Sequence, residues 1–140
     1  MTRTKEQERL DVEVAKSLFG FRWVQWNERA LGGSPLYTPG RFLARPDDVM
    51  SHLFENAAEN SPLHDHAIAK VPEYSNDATC AFMAAERARL FSDGHAILFR
   101  DDDGEWVIEV RGVKVSSPRL PALLCRASLQ WSAVTSGGGR

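Results

Sequence analysis

Long apolar runs are missing from this 140-residue chain, and with them any segment of the roughly 20 residues that span a bilayer. The first residues, MTRTKEQERLD, also lack the apolar centre of a signal peptide, so the chain is expected to stay in the cytoplasm of the cell that makes it. Excess charge of either sign is missing too. A formal net charge of -2 argues against a nucleic-acid backbone as partner, because that partner calls for a strongly basic domain or face. Cysteine is scarce: Cys80 and Cys125 form no metal motif, and both fall in expected helices where a small buried side chain fits, so they are read as reduced core residues. The glycine-rich loops GxxxxGK[ST] and GxGxxG do not occur, nor does a GxSxG elbow or a Cys-His signature. ATP-driven chemistry, dinucleotide cofactors and a serine or cysteine nucleophile therefore have no support, and we assign no cofactor, no catalytic residue and no enzymatic activity.

What is present is the composition of an ordinary globular protein, with 43% apolar and 26% charged residues. A helix is expected over Lys5 to Phe19, where Leu10, Val14 and Leu18 recur on one face, with Gly20 as its stop. In FRWVQW, large apolar groups fall on both sides of the alternation, which predicts a strand covered on both faces. RPDDVMSHLFENAAEN reads as a short helix with Pro46 in its first turn and Val49, Leu53 and Phe54 on its buried side. A second helix is expected after Ser75 as N-cap, with Asp77 in its first turn and Ala78, Phe82 and Ala85 along one face. HAILFR and EWVIEVRG flank DDDG and predict a hairpin, VKV a further short strand. Ser117 and Pro118 then open a last helix with Leu120, Leu124, Ala127, Trp131 and Val134 as its apolar stripe.

These elements predict an α+β fold, an antiparallel sheet packed between or against helices in the manner of an α/β/α sandwich, in a single domain. The domain is expected over 1–134 with an elaborated middle region at 27–71 and a flexible tail at 135–140. Remaining edge-strand or apolar surface predicts a homo-oligomer.

The order GFRWVQW, PEYSNDATCAFMAAE, the hairpin around EWVIEV, and SPRLPALLCRASLQ resembles the phage ABA sandwich domain, with matching positions Trp23, Tyr74, Ser75, Asp77, Trp106, Cys125, Ala127 and Leu129. The resemblance covers roughly Lys5 to Trp131; the segment 27–71 is longer than the family's usual connection, and Asn76 stands where the family often has threonine. It implies a small bacteriophage protein in the cytoplasm of an infected host, with a sheet between helices, and it implies no reaction.

Candidate sites are then judged by chemistry. Tyr74, Ser75 and Asp77 are explained by helix initiation, with Tyr74 as a hydrophobic staple. SSPR offers the Ser116 and Ser117 hydroxyls, first-turn amides and the Arg119 guanidinium, all suited to a phosphate, although capping explains it more simply. Arg22, Trp23, Trp26, Arg29, Tyr37, Arg41, Phe42 and Arg45 mix stacking surface with phosphate-holding forks. Alternation puts Trp23 and Trp26 on opposite faces, so both cannot line one pocket. His64, Asp65 and His66, with Asp93 and His95, contain metal-binding residue types, but nothing fixes a third ligand, and DDDG lacks the spacing of a calcium loop, so no metal is assigned.

The ligand-binding set expected from sequence is Trp26, Arg41, Arg45, Ser116, Ser117 and Arg119. The expected function is that of a non-enzymatic phage accessory protein that binds, in counter-defence, a small anionic nucleotide-like host signal. The alternative is a protein–protein interaction module that inhibits a host enzyme or serves phage assembly.

Overall fold

The structure, a computed structural model, describes residues 3–27, 40–58, 60–63, 67–68 and 70–138. The chain forms two compact units, Met1–Leu18 with Pro72–Arg140, and Phe19–Val71. The architecture is α+β, with antiparallel sheets and helices packed on sheet. The middle segment separates at Phe19, ahead of the expected boundary at 27, because the FRWVQW strand pairs within that segment.

In the first unit, helix α1 (Lys5–Phe19) opens on a capping box: the Gln7 amide donates to Thr4 Oγ1 at 3.1 Å and the Thr4 amide donates to Gln7 Oε1 at 2.9 Å. Its buried stripe is Asp11, Val14, Ala15 and Leu18, the i, i+3, i+4, i+7 pattern of one helix face. Gly20, at φ 74°, ends it.

Helix α2 (Ala78–Arg87) corrects one expectation. Asp77, not Ser75, is its N-cap, accepting from the Cys80 amide, while Ser75 is buried ahead of the helix. Ala81, Ala84 and Ala85 form the buried face of α2, and such small side chains allow the close approach at which α2 packs on the last helix.

The unit's sheet has the order β4-β5-β6, with β4 (Ile97–Arg100), β5 (Trp106–Val110) and β6 (Val113–Ser117) all antiparallel. The DDDG hairpin forms as expected. Asp101 Oδ1 accepts from the amides of Asp103 and Glu105, both at 2.9 Å, so the acidic run serves the turn's own backbone. Arg111 and Gly112 join β5 to β6 with φ 51° and 84°, the two positive angles of a type I′ turn.

Helix α3 (Leu120–Gly138) packs on β5 and β6. It begins two residues later than expected, so Pro118 precedes it and Pro121 sits in its first turn, and it runs past the expected boundary at 134. Leu123, Leu124, Cys125, Ala127 and Ser128 are its buried residues, whereas Val134, expected in the stripe, is exposed.

In the second unit β1 (Arg22–Trp26) is the central strand of the order β2-β1-β3, with β2 (Phe42–Ala44) and β3 (Phe54–Asn56) antiparallel to it. The helix expected over 45–60 is not formed among the described residues. Asp48 Oδ1 takes the Met50 amide at 2.8 Å, an alternative to helical bonding that short acidic side chains offer the backbone. A single 3-10 turn, Ser51–Leu53, follows and leads into β3. Val49, expected to be buried, is 86% exposed. Val24, Leu43, Ala44, Ala67, Val71 and Phe21 make this unit's core.

Candidate functional site

Alternation along β1 builds a recess walled by aromatic rings. Opposed residues share a face of the sheet, so Val24 stands with Phe42 and Trp26 with Phe54 on one side, while Trp23 stands with Leu43 on the other. The rings of Trp26, Phe42 and Phe54 form a closed trio: Trp26–Phe54 centroids lie 4.9 Å apart at 71°, Phe42–Phe54 5.2 Å at 84°, and Trp26–Phe42 5.7 Å at 42°. These are the edge-on and tilted arrangements that the ring quadrupole favours. All three residues are half-buried and line a pocket of about 170 Å³ together with Met50. Its charged lining residues are Asp48 and Lys70. Drug-sized ligands occupy roughly 300–1,000 Å³, so this recess suits one ring system or one large side chain.

Of the residues expected to bind ligand, Trp26 lines this pocket and Arg41 does not. Arg41 directly precedes Phe42, and the alternation turns it to the opposite side of the sheet, where its guanidinium carbon lies 3.9 Å from the centre of the Trp23 ring. Its Nε donates to the Ser61 carbonyl at 2.7 Å, and its Nη1 is buried without a hydrogen-bond partner among the described residues. Arg45 is exposed, 5.8 Å from the Phe21 ring centre. Each arginine lies over an aromatic ring of its own unit, a cation–π placement that does not contribute to the lining of the Trp26 pocket. Phe42 was within the aromatic–arginine constellation, but Phe54, Asp48, Met50 and Lys70 were not. Reading 45–60 as a helix concealed that Phe54 returns to pair with Trp26.

Ser117 and Arg119 belong to the other unit, where they line a cleft of about 260 Å³ with Gln7, Ser75, Glu6 and Arg126. Several of the polar groups there are already engaged. The Arg119 amide donates to Ser117 Oγ at 3.2 Å, the Arg119 guanidinium donates to Asn76 Oδ1, and Arg126 pairs with Glu6 at 3.1 Å. Ser116 is exposed and lies outside this lining, because neighbouring residues on β6 point to opposite faces. The serine pair therefore does not converge on one ligand from β6.

The one buried carboxyl among the described residues was not singled out from sequence. Asp11 is fully buried; the Ser75 amide donates to its Oδ1 at 2.7 Å, and Arg3 Nη1 donates to its Oδ2 at 3.3 Å. Burial pushes the Asp11 carboxyl above its ordinary range, against the opposing pull of the Ser75 bonds and Arg3. The signal was there: Asp11 occupies the first place of the stripe completed by Val14, Ala15 and Leu18. Its bonds tie α1 to the segment ahead of α2, which also explains why Ser75 is not a cap. Burial likewise pushes the Cys125 thiol up to about 12 and raises that of Cys80, which Asp77 reinforces. Both thiols are held in the protonated, weakly nucleophilic form, and both are free.

Among the described residues no group of three or more His, Cys, Asp or Glu side chains is placed to hold a metal, and no helix is long and apolar enough to cross a membrane. Arg29, Tyr37, His64, Asp65 and His66 lie outside the described residues. Comparison of the chain with family models, with characterised proteins and with solved structures gives no match.

Proposed function

We propose that the chain acts by non-covalent binding and that the Trp26–Phe42–Phe54 pocket receives the ring of a small, anionic, nucleotide-like ligand. The observation that carries this reading is a recess of about 170 Å³ walled by three half-buried aromatic rings, with one lysine among its lining residues. Aromatic faces stack on nucleobases at about 1–3 kcal/mol per base, and an ammonium answers a phosphate as a point charge. A binding protein needs only such pre-organised surface. On the resemblance of the sequence to the phage ABA sandwich domain, the role we propose is withholding a host signal, as counter-defence in the cytoplasm of an infected cell, by a homo-oligomeric accessory protein.

The test is isothermal titration calorimetry against a panel of linear and cyclic nucleotides, repeated with Trp26→Ala and followed by recovery of the ligand after heat denaturation. Saturable binding that weakens about tenfold or more in Trp26→Ala, with the ligand recovered intact, supports the reading. Recovery of an altered product indicates turnover instead, and absence of binding across the panel overturns the nucleotide assignment.

A protein partner is the second reading, favoured by one observation. Phe82 and Met83, on the outer face of α2, are 42% and 54% exposed, and Phe82 stacks on Phe91 with centroids 6.5 Å apart. Exposed aromatic and methionine side chains are enriched where proteins meet. Loss of a host-protein complex in Phe82→Ser but not in Trp26→Ala would favour it.

A further inference from the structure

The aromatic walls of the Trp26 pocket accept any flat ring, so discrimination among rings falls to the polar groups of its lining. Asp48 and Lys70 carry opposite charges and ask for opposite chemistry. A carboxylate offers acceptors only, whereas an ammonium offers donors only. A ligand matched to both presents hydrogen-bond donors to one and negative charge to the other. Asp48 is also oriented in advance: its Oδ1 accepts the Met50 amide at 2.8 Å, and its Oδ2 has no partner among the described residues.

We propose that Asp48 reads the donor edge of a guanine-type base stacked on Trp26, Phe42 and Phe54, while Lys70 meets the phosphate of the same nucleotide. This rests on the nucleotide reading above and narrows it to one base. Guanine sets a ring N–H beside an exocyclic amino group, two neighbouring donors for one carboxylate. Adenine and cytosine each set a ring acceptor beside their amino group, and uracil flanks its ring N–H with two carbonyls; those acceptors face a carboxylate with repulsion. Polar groups that a ligand covers without pairing them discriminate between bases.

The experiment is calorimetry of the full chain with guanosine, inosine, adenosine, cytidine and uridine monophosphates. Inosine monophosphate keeps the ring N–H and lacks the amino group. The expected result is guanosine tightest, adenosine, cytidine and uridine weaker by at least about tenfold, and inosine between. Asp48→Asn keeps an oxygen for the Met50 amide, so the turn is retained, and it is expected to erase the preference for guanosine. Lys70→Gln is expected to weaken all five to a similar degree. Adenosine or a pyrimidine binding as tightly as guanosine overturns this inference and leaves the nucleotide reading standing. No binding of any of the five overturns this inference, and the nucleotide reading falls with it only if the wider panel of linear and cyclic nucleotides is also unbound. Should Asp48→Asn fail to fold, as judged by circular dichroism, the ranking of the five ligands on the unmodified chain decides alone.

Discussion

Asp11 is a fully buried carboxyl that accepts from the Ser75 amide and from Arg3. Replacing it with alanine leaves the buried Ser75 amide without an acceptor, and the expected loss is about 1–3 kcal/mol in chemical denaturation. Asp11→Asn retains an acceptor and isolates the charge. Because burial raises the folded-state carboxyl above its ordinary 3.8, the acid form favours the fold, and ionisation works against it. Stability contributed by the neutral acid is complete below 3.8 and is lost as pH rises through the folded-state value. The unmodified chain is therefore expected to lose stability relative to Asp11→Asn as the pH of a denaturant series is raised from that point. The cysteines make a second case. Cys125 is fully buried with its thiol near 12, and Cys80 is half-buried. Alkylation of the native protein near pH 8 is expected to modify Cys80 first and to reach Cys125 only in denaturant, which peptide mapping by mass spectrometry reads directly.

Single residues decide where elements begin and how closely they pass. Since Asp77 caps α2 and Ser75 does not, Asp77→Ala is expected to cost about 1 kcal/mol. Ser75→Ala keeps the amide that bonds Asp11 and is expected to cost less; urea midpoints compare the two. Gly94 sits in the turn before β4, where an added Cβ would stand 2.4 Å from the Leu90 carbonyl oxygen and 3.1 Å from Val110 Cγ2. Backbone has to move to admit it, so Gly94→Ala is expected to destabilise by roughly 1–3 kcal/mol, measured in the same way. Elements whose instructions are local were legible. α1 carries its own cap, periodicity and stop, and the β4–β5 hairpin its own acidic turn. β3 was not legible, because Phe54–Asn56 is a short strand whose reason to extend is the open edge of β1, a partner distant in sequence.

The whole molecule joins two units of unequal means. Met1–Leu18 with Pro72–Arg140 combines three helices' worth of buried stripe and a three-stranded sheet, whereas Phe19–Val71 has a three-stranded sheet built from strands of three to five residues. The smaller unit buries a smaller share of its chain's surface and is expected to unfold first. Trp23 and Trp26 report on it, Trp106 and Trp131 on the other, so fluorescence of a Trp106→Phe/Trp131→Phe variant is expected to change at lower denaturant than that of a Trp23→Phe/Trp26→Phe variant. In the proposed site, Trp26 was recognisable from its strand and composition, and the alternation that separates it from Trp23 was readable in RWVQW. Its companions were not: Phe54 joins it through strand pairing, and Asp48 and Lys70 through the path of the chain around that sheet. Helix periods and tight turns follow from neighbours within a few residues, and the amino-acid order settles them, whereas the choice of Asp77 over Ser75 as a cap also involved the distant Asp11. Which strand closes an open edge, and which charges then surround the same three rings, depends on contacts between distant segments, and these exist only once the chain has folded.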